Sequence, residues 1–215
     1  LQQKISTAIL QQKLSLITLS GKTFEDSILE SEKLVKVFDM INIDKFKPPY
    51  EIYIDKSTIY HFLSLNKEGA LNFDQPYQRA YEWETKEQQA FLNSLLAGHD
   101  IGKVAVSAHE TNPHLINVVD GKQRLTTGLK FFAGELPFLH EGKEWFFNNP
   151  KHFSLPDQRE LKKRTLTQAM LAYKSGKGVS LVDQVDYFER INYSGKPLPK
   201  EHFEKLQVLR TQIEA

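Results

Sequence analysis

The sequence contains no cysteine, which excludes disulfides, thiolate nucleophiles and Cys-ligated zinc or iron–sulfur centres. A reducing cytoplasm fits that composition, and a cytoplasmic protein is expected. An excess of charge of either sign is also missing: 28 Lys and Arg stand against 27 Asp and Glu, leaving +1. The global positive field of a nucleic-acid coat protein is therefore absent, and any anion site has to be local. The most apolar early stretch, Leu14 to Leu19, is far short of the roughly 20 residues a membrane span needs, and no small-residue cleavage site follows a basic start. No membrane partner is expected. Fixed-period repeats and low-complexity tracts are lacking too, which removes solenoids. What is there is ordinary globular material, 40% hydrophobic and 26% charged over 215 residues, enough for one domain or one core with a helical extension.

Three stretches can be told apart. Residues 1–49 read as a helical arm: Ile5, Ile9, Leu16, Ile28, Leu29, Leu34, Val35, Phe38 and Ile41 recur near helical spacing. The apolar faces so formed can make an oligomer or cover the protein's own core. Pro48-Pro49 breaks this pattern, and residues 50–136 read as an α/β core. There Tyr50 to Ile54 alternates as a half-buried strand, a helix follows from Ser57, and a short strand spans Leu71 to Phe73. A loop at Gln75 to Arg79 leads to a helix over Glu84 to Leu96 with Gly98 as its stop. Strands at Lys103 to Ala108 and Leu115 to Val119 and a helix at Leu125 to Ala133 complete the core. Residues 137–215 read as a mostly helical lobe completing the same domain, with an aromatic stretch at Phe138 to Phe153. A basic helix around Arg159 to Arg164 and helices over Leu181 to Ile191 and Glu201 to Ile213 follow. The fold class is thus α/β (α+β): a small mixed-sheet core between a helical arm and a helical lobe.

The chemistry concentrates at Ile116 to Thr127. An apolar strand ends in Asp120-Gly121 and a helix follows at once, so that unpaired amides of the first helical turn face the carboxyl end of the strand, a geometry that favours an anion. Gly121 permits the tight turn and a close approach to a ligand, while Lys122 and Arg124 add charge, Arg124 being able to grip a phosphate bidentately. Asp120 can hold a magnesium ion or a ribose hydroxyl beside that phosphate, and Gln123 can orient a water. The plain alternative is a helix cap at Asp120, a surface cation at Arg124 and local packing of Thr126 and Thr127. Gln78 and Arg79 likewise can close over a ligand beside Tyr77, Tyr81 and Trp83, or sit in an aromatic roof with Arg79 in an ion pair. Arg190 and Asn192 can complete the pocket from the helical lobe, or simply end their helix.

At these residues the chain resembles the N-terminal domain of GmrSD-type modification-dependent restriction systems, within the ParB and sulfiredoxin superfamily. Three segments carry the likeness in the family's order. Phe73 to Trp83 resembles P-x-Y-Q-R-x-Y-x-W; Asp120 to Arg124, followed by Leu-Thr-Thr, resembles D-G-Q-Q-R; and Phe188 to Leu198 resembles F-x-R-I-N-x-x-G-x-P-L. Lys122 stands where the family has Gln, Tyr193 where a smaller polar residue is usual, and Pro199 where Ser is common. The resemblance covers about residues 55 to 205. It implies a ParB/sulfiredoxin-like core that binds a nucleoside triphosphate (NTP) and hydrolyses it in the service of DNA restriction, defence or counter-defence. Asp120, Gln123 and Arg124 are the catalytic residues it implies, with Asp120 as a magnesium ligand. Gln78, Arg79, Gly121, Lys122, Thr126, Thr127, Arg190 and Asn192 would bind the nucleotide. DNA and a separate nuclease or defence protein are the implied partners. The competing reading is a non-catalytic ParB-like module that clamps DNA or a partner. A nuclease ranks last, because none of the seven His forms a convincing His-Asn-His pair; any cutting is expected from another chain.

Overall fold

The structure, a computed structural model, describes residues 43–193 and 200–214. The helical pattern read over residues 1–42 lies outside the described residues. By its contacts the chain divides into two compact units, 1–47 and 48–215. Of the first, a short 3-10 turn at Ile43–Phe46 is described.

The second unit runs β1 (Glu51–Thr58), α1 (Ile59–Lys67), β2 (Leu71–Asn72), α2 (Thr85–Ala97), β3 (Lys103–Ala108), β4 (Ile116–Asp120), α3 (Lys122–Ala133), β5 (Phe138–His140), β6 (Lys143–Trp145), α4 (Leu155–Lys162), β7 (Thr165–Ala172), α5 (Leu181–Tyr193) and α6 (Lys200–Glu214). Five strands form a mixed sheet in the order β1-β7-β3-β4-β2, and β5 and β6 pair as a separate antiparallel hairpin. Within the large sheet β7 and β3 are parallel, as are β4 and β2, whereas the β1–β7 and β3–β4 pairs are antiparallel. This is an α/β fold.

Alternation along the strands makes two cores. Val104, Val106, Val118 and Leu166 point to one face, where Ile59 and Phe62 of α1, Phe91 and Leu92 of α2, and Leu125, Phe131 and Phe132 of α3 cover them. Ala105, Val119, Ala169 and Leu171 point to the other, under Val185, Tyr187 and Phe188 of α5 and Leu206 of α6. Both faces of the sheet are covered, which is why β3 reads as the nearly unbroken apolar run Val104-Ala105-Val106.

Two expectations need correction. The C-terminal third is not mostly helical up to its last loop: Thr165–Ala172 is a central strand, inserted between β1 and β3. Gln168, Ala169 and Met170 are good helix formers, but pairing on both edges and burial on both faces override that propensity. Along β1 the even positions share a face as the alternation requires, yet only Tyr50, just before the strand, is buried there, against Tyr187. Ile52 and Ile54, on this edge strand, are exposed. Among the described residues no helix is long and apolar enough to cross a membrane.

Candidate functional site

Strand β4 delivers Asp120 to the edge of the core, and Gly121 turns the chain into α3 with φ +92, a left-handed conformation that an L side chain rarely adopts. A Cβ there would also lie 2.6 Å from Val104 Cγ1. The close approach that requires glycine is thus to β3 of the protein itself. Helix α3 starts at Lys122, three residues earlier than its apolar periodicity implies, so Lys122, Gln123 and Arg124 are its first turn. Gly121 has no side chain with which to cap it, and the first turn contains no acid. Its leading amides thus lack a side-chain cap and lie at the positive end of the helix dipole.

Each polar side chain of this turn is held. Arg124 Nη2 donates to Asp120 Oδ2 at 3.2 Å and to the Lys103 carbonyl. Lys122 Nζ donates to the Phe73 carbonyl at 3.0 Å and lies 4.0 Å from Asp74 Oδ1. Gln123 Oε1 accepts from the amides of Glu82 and Trp83, at 2.9 and 3.2 Å, and Gln123 Nε2 donates to the Ala80 carbonyl at 2.8 Å.

The loop after β2 forms the opposite wall. Gln78 Nε2 donates to the Val118 and Val119 carbonyls at 2.7 and 2.8 Å, continuing the ladder where β2 has ended. Arg79 is exposed and paired with Glu82 at 3.1 Å. Trp83 packs its ring 5.7 Å from Phe91. Tyr77, 1% exposed, donates from its hydroxyl to Gln184 Oε1 at 3.1 Å and packs its ring, tilted by 49°, 5.2 Å from that of Phe188. Burial, and next the nearby charge of Asp120, push the Tyr77 phenol far above its ordinary range. Replacing Tyr77 with phenylalanine strands Gln184 Oε1 in the core and is expected to cost about 1 to 2 kcal/mol, read by urea unfolding.

Together these elements enclose a cleft of about 230 Å³ lined by Gln78, Arg79, Trp83, Asp120, Gly121, Lys122, Gln123, Arg124, Phe188 and Asn192. Eight residues marked from the sequence therefore meet in one place. Thr126, Thr127 and Arg190 do not line it. Thr127 is fully buried, and its Oγ1 donates to the Gln123 carbonyl and accepts from the Tyr81 hydroxyl, one turn along α3. Thr126, next to it on α3, is only half-buried. Arg190 Nε binds Asp186 at 2.7 Å on the exposed side of α5. Helical spacing explains the last case: Phe188 and Asn192 are four apart and share a face, whereas Arg190 lies between them and points away. That same spacing, read within the third motif, marks Phe188, a cleft residue to which the motif alone assigns no role. Asn192 Nδ2 donates to the Phe188 carbonyl at 2.8 Å.

Three cations and one carboxylate line the cleft, and each cation has a carboxylate within 4.0 Å: Arg79 has Glu82, Lys122 has Asp74 and Arg124 has Asp120. Asp120 is its lone acid, which suits a magnesium ion held mainly by water and phosphate oxygens and does not suit an all-protein cage. Among the described residues no group of three or more His, Asp or Glu is placed to hold a metal. Those His residues whose contacts are described are engaged locally: His109 Nδ1 accepts from the Thr111 and Asn112 amides, His152 Nδ1 accepts from the Phe146 amide, and His140 stacks on Phe138.

The family model described as GmrSD restriction endonuclease, N-terminal domain, matches residues 59–206, well over half of the chain. The chain belongs to the GmrSD N-terminal domain family. Membership ties it to DNA restriction and defence. The matched span of this GmrSD domain begins at α1 and ends in α6, and so includes every residue that lines the cleft. Comparisons with curated proteins and with solved structures found no match.

Proposed function

We propose that this GmrSD domain binds a nucleoside triphosphate in the cleft and hydrolyses it, in the manner of a ParB-like nucleotide switch serving restriction. The observation that carries the reading is the uncapped start of α3, which opens into a cleft also lined by Arg79, Lys122 and Arg124. Phosphates at that helix start would receive amide hydrogen bonds, the helix dipole and the Arg124 guanidinium at once. Trp83 and Phe188 supply apolar surface for a base. When bound, a magnesium ion would sit at Asp120 and screen the phosphate charge. DNA and a separate nuclease or defence protein would sense the bound state, which requires the nucleotide to prefer one of two conformations.

The test is phosphate release by the purified protein with each of the four ribonucleoside triphosphates and magnesium, with binding measured on the same samples. Release from the parent protein is expected. Arg124→Ala should weaken triphosphate binding by about 1.5 to 3 kcal/mol by titration calorimetry, the loss of a charge-assisted contact. Unchanged affinity would move the anion elsewhere.

One observation favours the second reading, a ParB-like clamp that binds without turnover. Gln123, the residue expected to orient a water, already spends its amide on the loop backbone. Binding without release would establish that reading.

A further inference from the structure

The side chain that the D-G-x-Q-R turn offers for handling water is the one most completely taken up by the protein. A glutamine carbonyl oxygen has two lone-pair sites. In Gln123 both are filled by backbone amides, those of Glu82 and Trp83, while Nε2 donates to the Ala80 carbonyl. These three bonds span a stretch with no regular secondary structure, whose backbone polar groups would otherwise need water. The same stretch is tied a turn further along α3 by the Tyr81–Thr127 hydrogen bond and to α2 by Gln88 Nε2, which donates to the Trp83 carbonyl. The two residues that this strap turns toward the cleft are Arg79 and Trp83.

We infer that Gln123 is a positioning residue: it clasps the Ala80–Trp83 backbone to the start of α3 and so sets Arg79 and Trp83 as one wall of the ligand cleft. The part that concerns ligand rests on the triphosphate reading above. For Oε1 to accept a hydrogen bond from an attacking water it would first have to release the amide of Glu82 or Trp83, so orienting water through Oε1 and holding the wall exclude one another. The arrangement also means that a phosphate arriving at the first turn of α3 and a base arriving at Trp83 meet parts of a single hydrogen-bonded unit.

Gln123→Ala and Gln123→Glu separate the possibilities. In nucleotide-free protein, amide hydrogen exchange at Glu82 and Trp83 should accelerate at least tenfold in Gln123→Ala, while exchange within α3 and β3 stays at the parent rate and so certifies the fold. Gln123→Glu keeps the acceptor sites but loses the donor to the Ala80 carbonyl, and should restore part of that protection. With magnesium and a triphosphate, Gln123→Ala should raise Kd about tenfold and lower kcat by less. Unchanged exchange at Glu82 and Trp83 would overturn the clasp. Faster exchange with unchanged Kd would overturn its role at the ligand, and a loss of kcat with unchanged Kd and exchange would return Gln123 to water. If the parent binds no triphosphate, the functional reading fails, and the exchange arm alone decides the clasp.

Discussion

Asp120→Ala is expected to abolish phosphate release and, at the same time, to tighten binding of metal-free triphosphate. The two effects have opposite signs because the carboxylate does two things. It is the lone acid lining the cleft, so a magnesium ion has no other side-chain carboxylate there. It is also a negative charge beside a proposed anion site, and it occupies Nη2 of Arg124 at 3.2 Å. Asp120 and Arg124 are only 23% and 31% exposed, so their charges are incompletely screened. Removing the carboxylate should favour a polyanion by about 1 to 2 kcal/mol, roughly five- to thirtyfold in affinity. Calorimetry with a chelator present reads the gain, and phosphate release with magnesium reads the loss. Full turnover in the variant would remove Asp120 from the mechanism. Weaker metal-free binding would mean that Asp120 contacts the ligand as an acceptor, for instance from a ribose hydroxyl.

Gly178→Ala is expected to destabilise the fold by about 3 to 5 kcal/mol, combining overpacking with the loss of a buried hydrogen bond. A Cβ on Gly178 would stand 1.9 Å from the Ala108 carbonyl oxygen and 2.6 Å from its carbon. Both are backbone atoms at the end of β3, so no rotamer change relieves the clash. The next residue, Val179, is fully buried and donates its amide to Ser107 Oγ at 3.0 Å, and that bond stretches if the segment moves. At about 2 to 4 °C per kcal/mol for a chain of this size, the midpoint of thermal unfolding should fall by roughly 10 °C. A fall of less than 2 °C would show that the segment can lift off β3 freely. Helix α5 starts three residues on, so survivors of the substitution should also carry Phe188 and Asn192 away from the cleft.

Much of this was open to a reading of residues, and the parts that were not share a cause. Strand β3 was read at its observed limits and α2 within a residue, because their apolar patterns are local and Gly98 ends the helix. The turn at Asp120-Gly121 was legible because an apolar run, a glycine and a cation-bearing helix start follow one another directly. Strand β7 was hidden: Leu166 and Met170 stand at helical spacing among good helix formers, and only the partners on either side make a strand of them. Nothing in the residues around Gly178 announces its tight packing, since its neighbour Ala108 lies 70 positions away. Among site residues, Lys122, Gln123 and Arg124 were found by type and spacing. The commitment of the Gln123 amide to Ala80, Glu82 and Trp83 depends on a contact across some 40 residues that no local pattern announces.

The place of β7 in the sheet also bears on how the chain is made. Strands β1 and β3 both precede it, and neither neighbours the other; each waits for β7 to fill the gap between them. About 60 residues separate the end of β3 from the start of β7, some 3 to 12 seconds of ribosomal synthesis at roughly 5 to 20 residues per second. Throughout that interval β3 offers a free apolar edge to any other strand. Only after β7 has joined can α5 dock on the second face and bring Phe188 and Asn192 into position. A nascent chain therefore has no complete ligand cleft until nearly all of this domain has emerged.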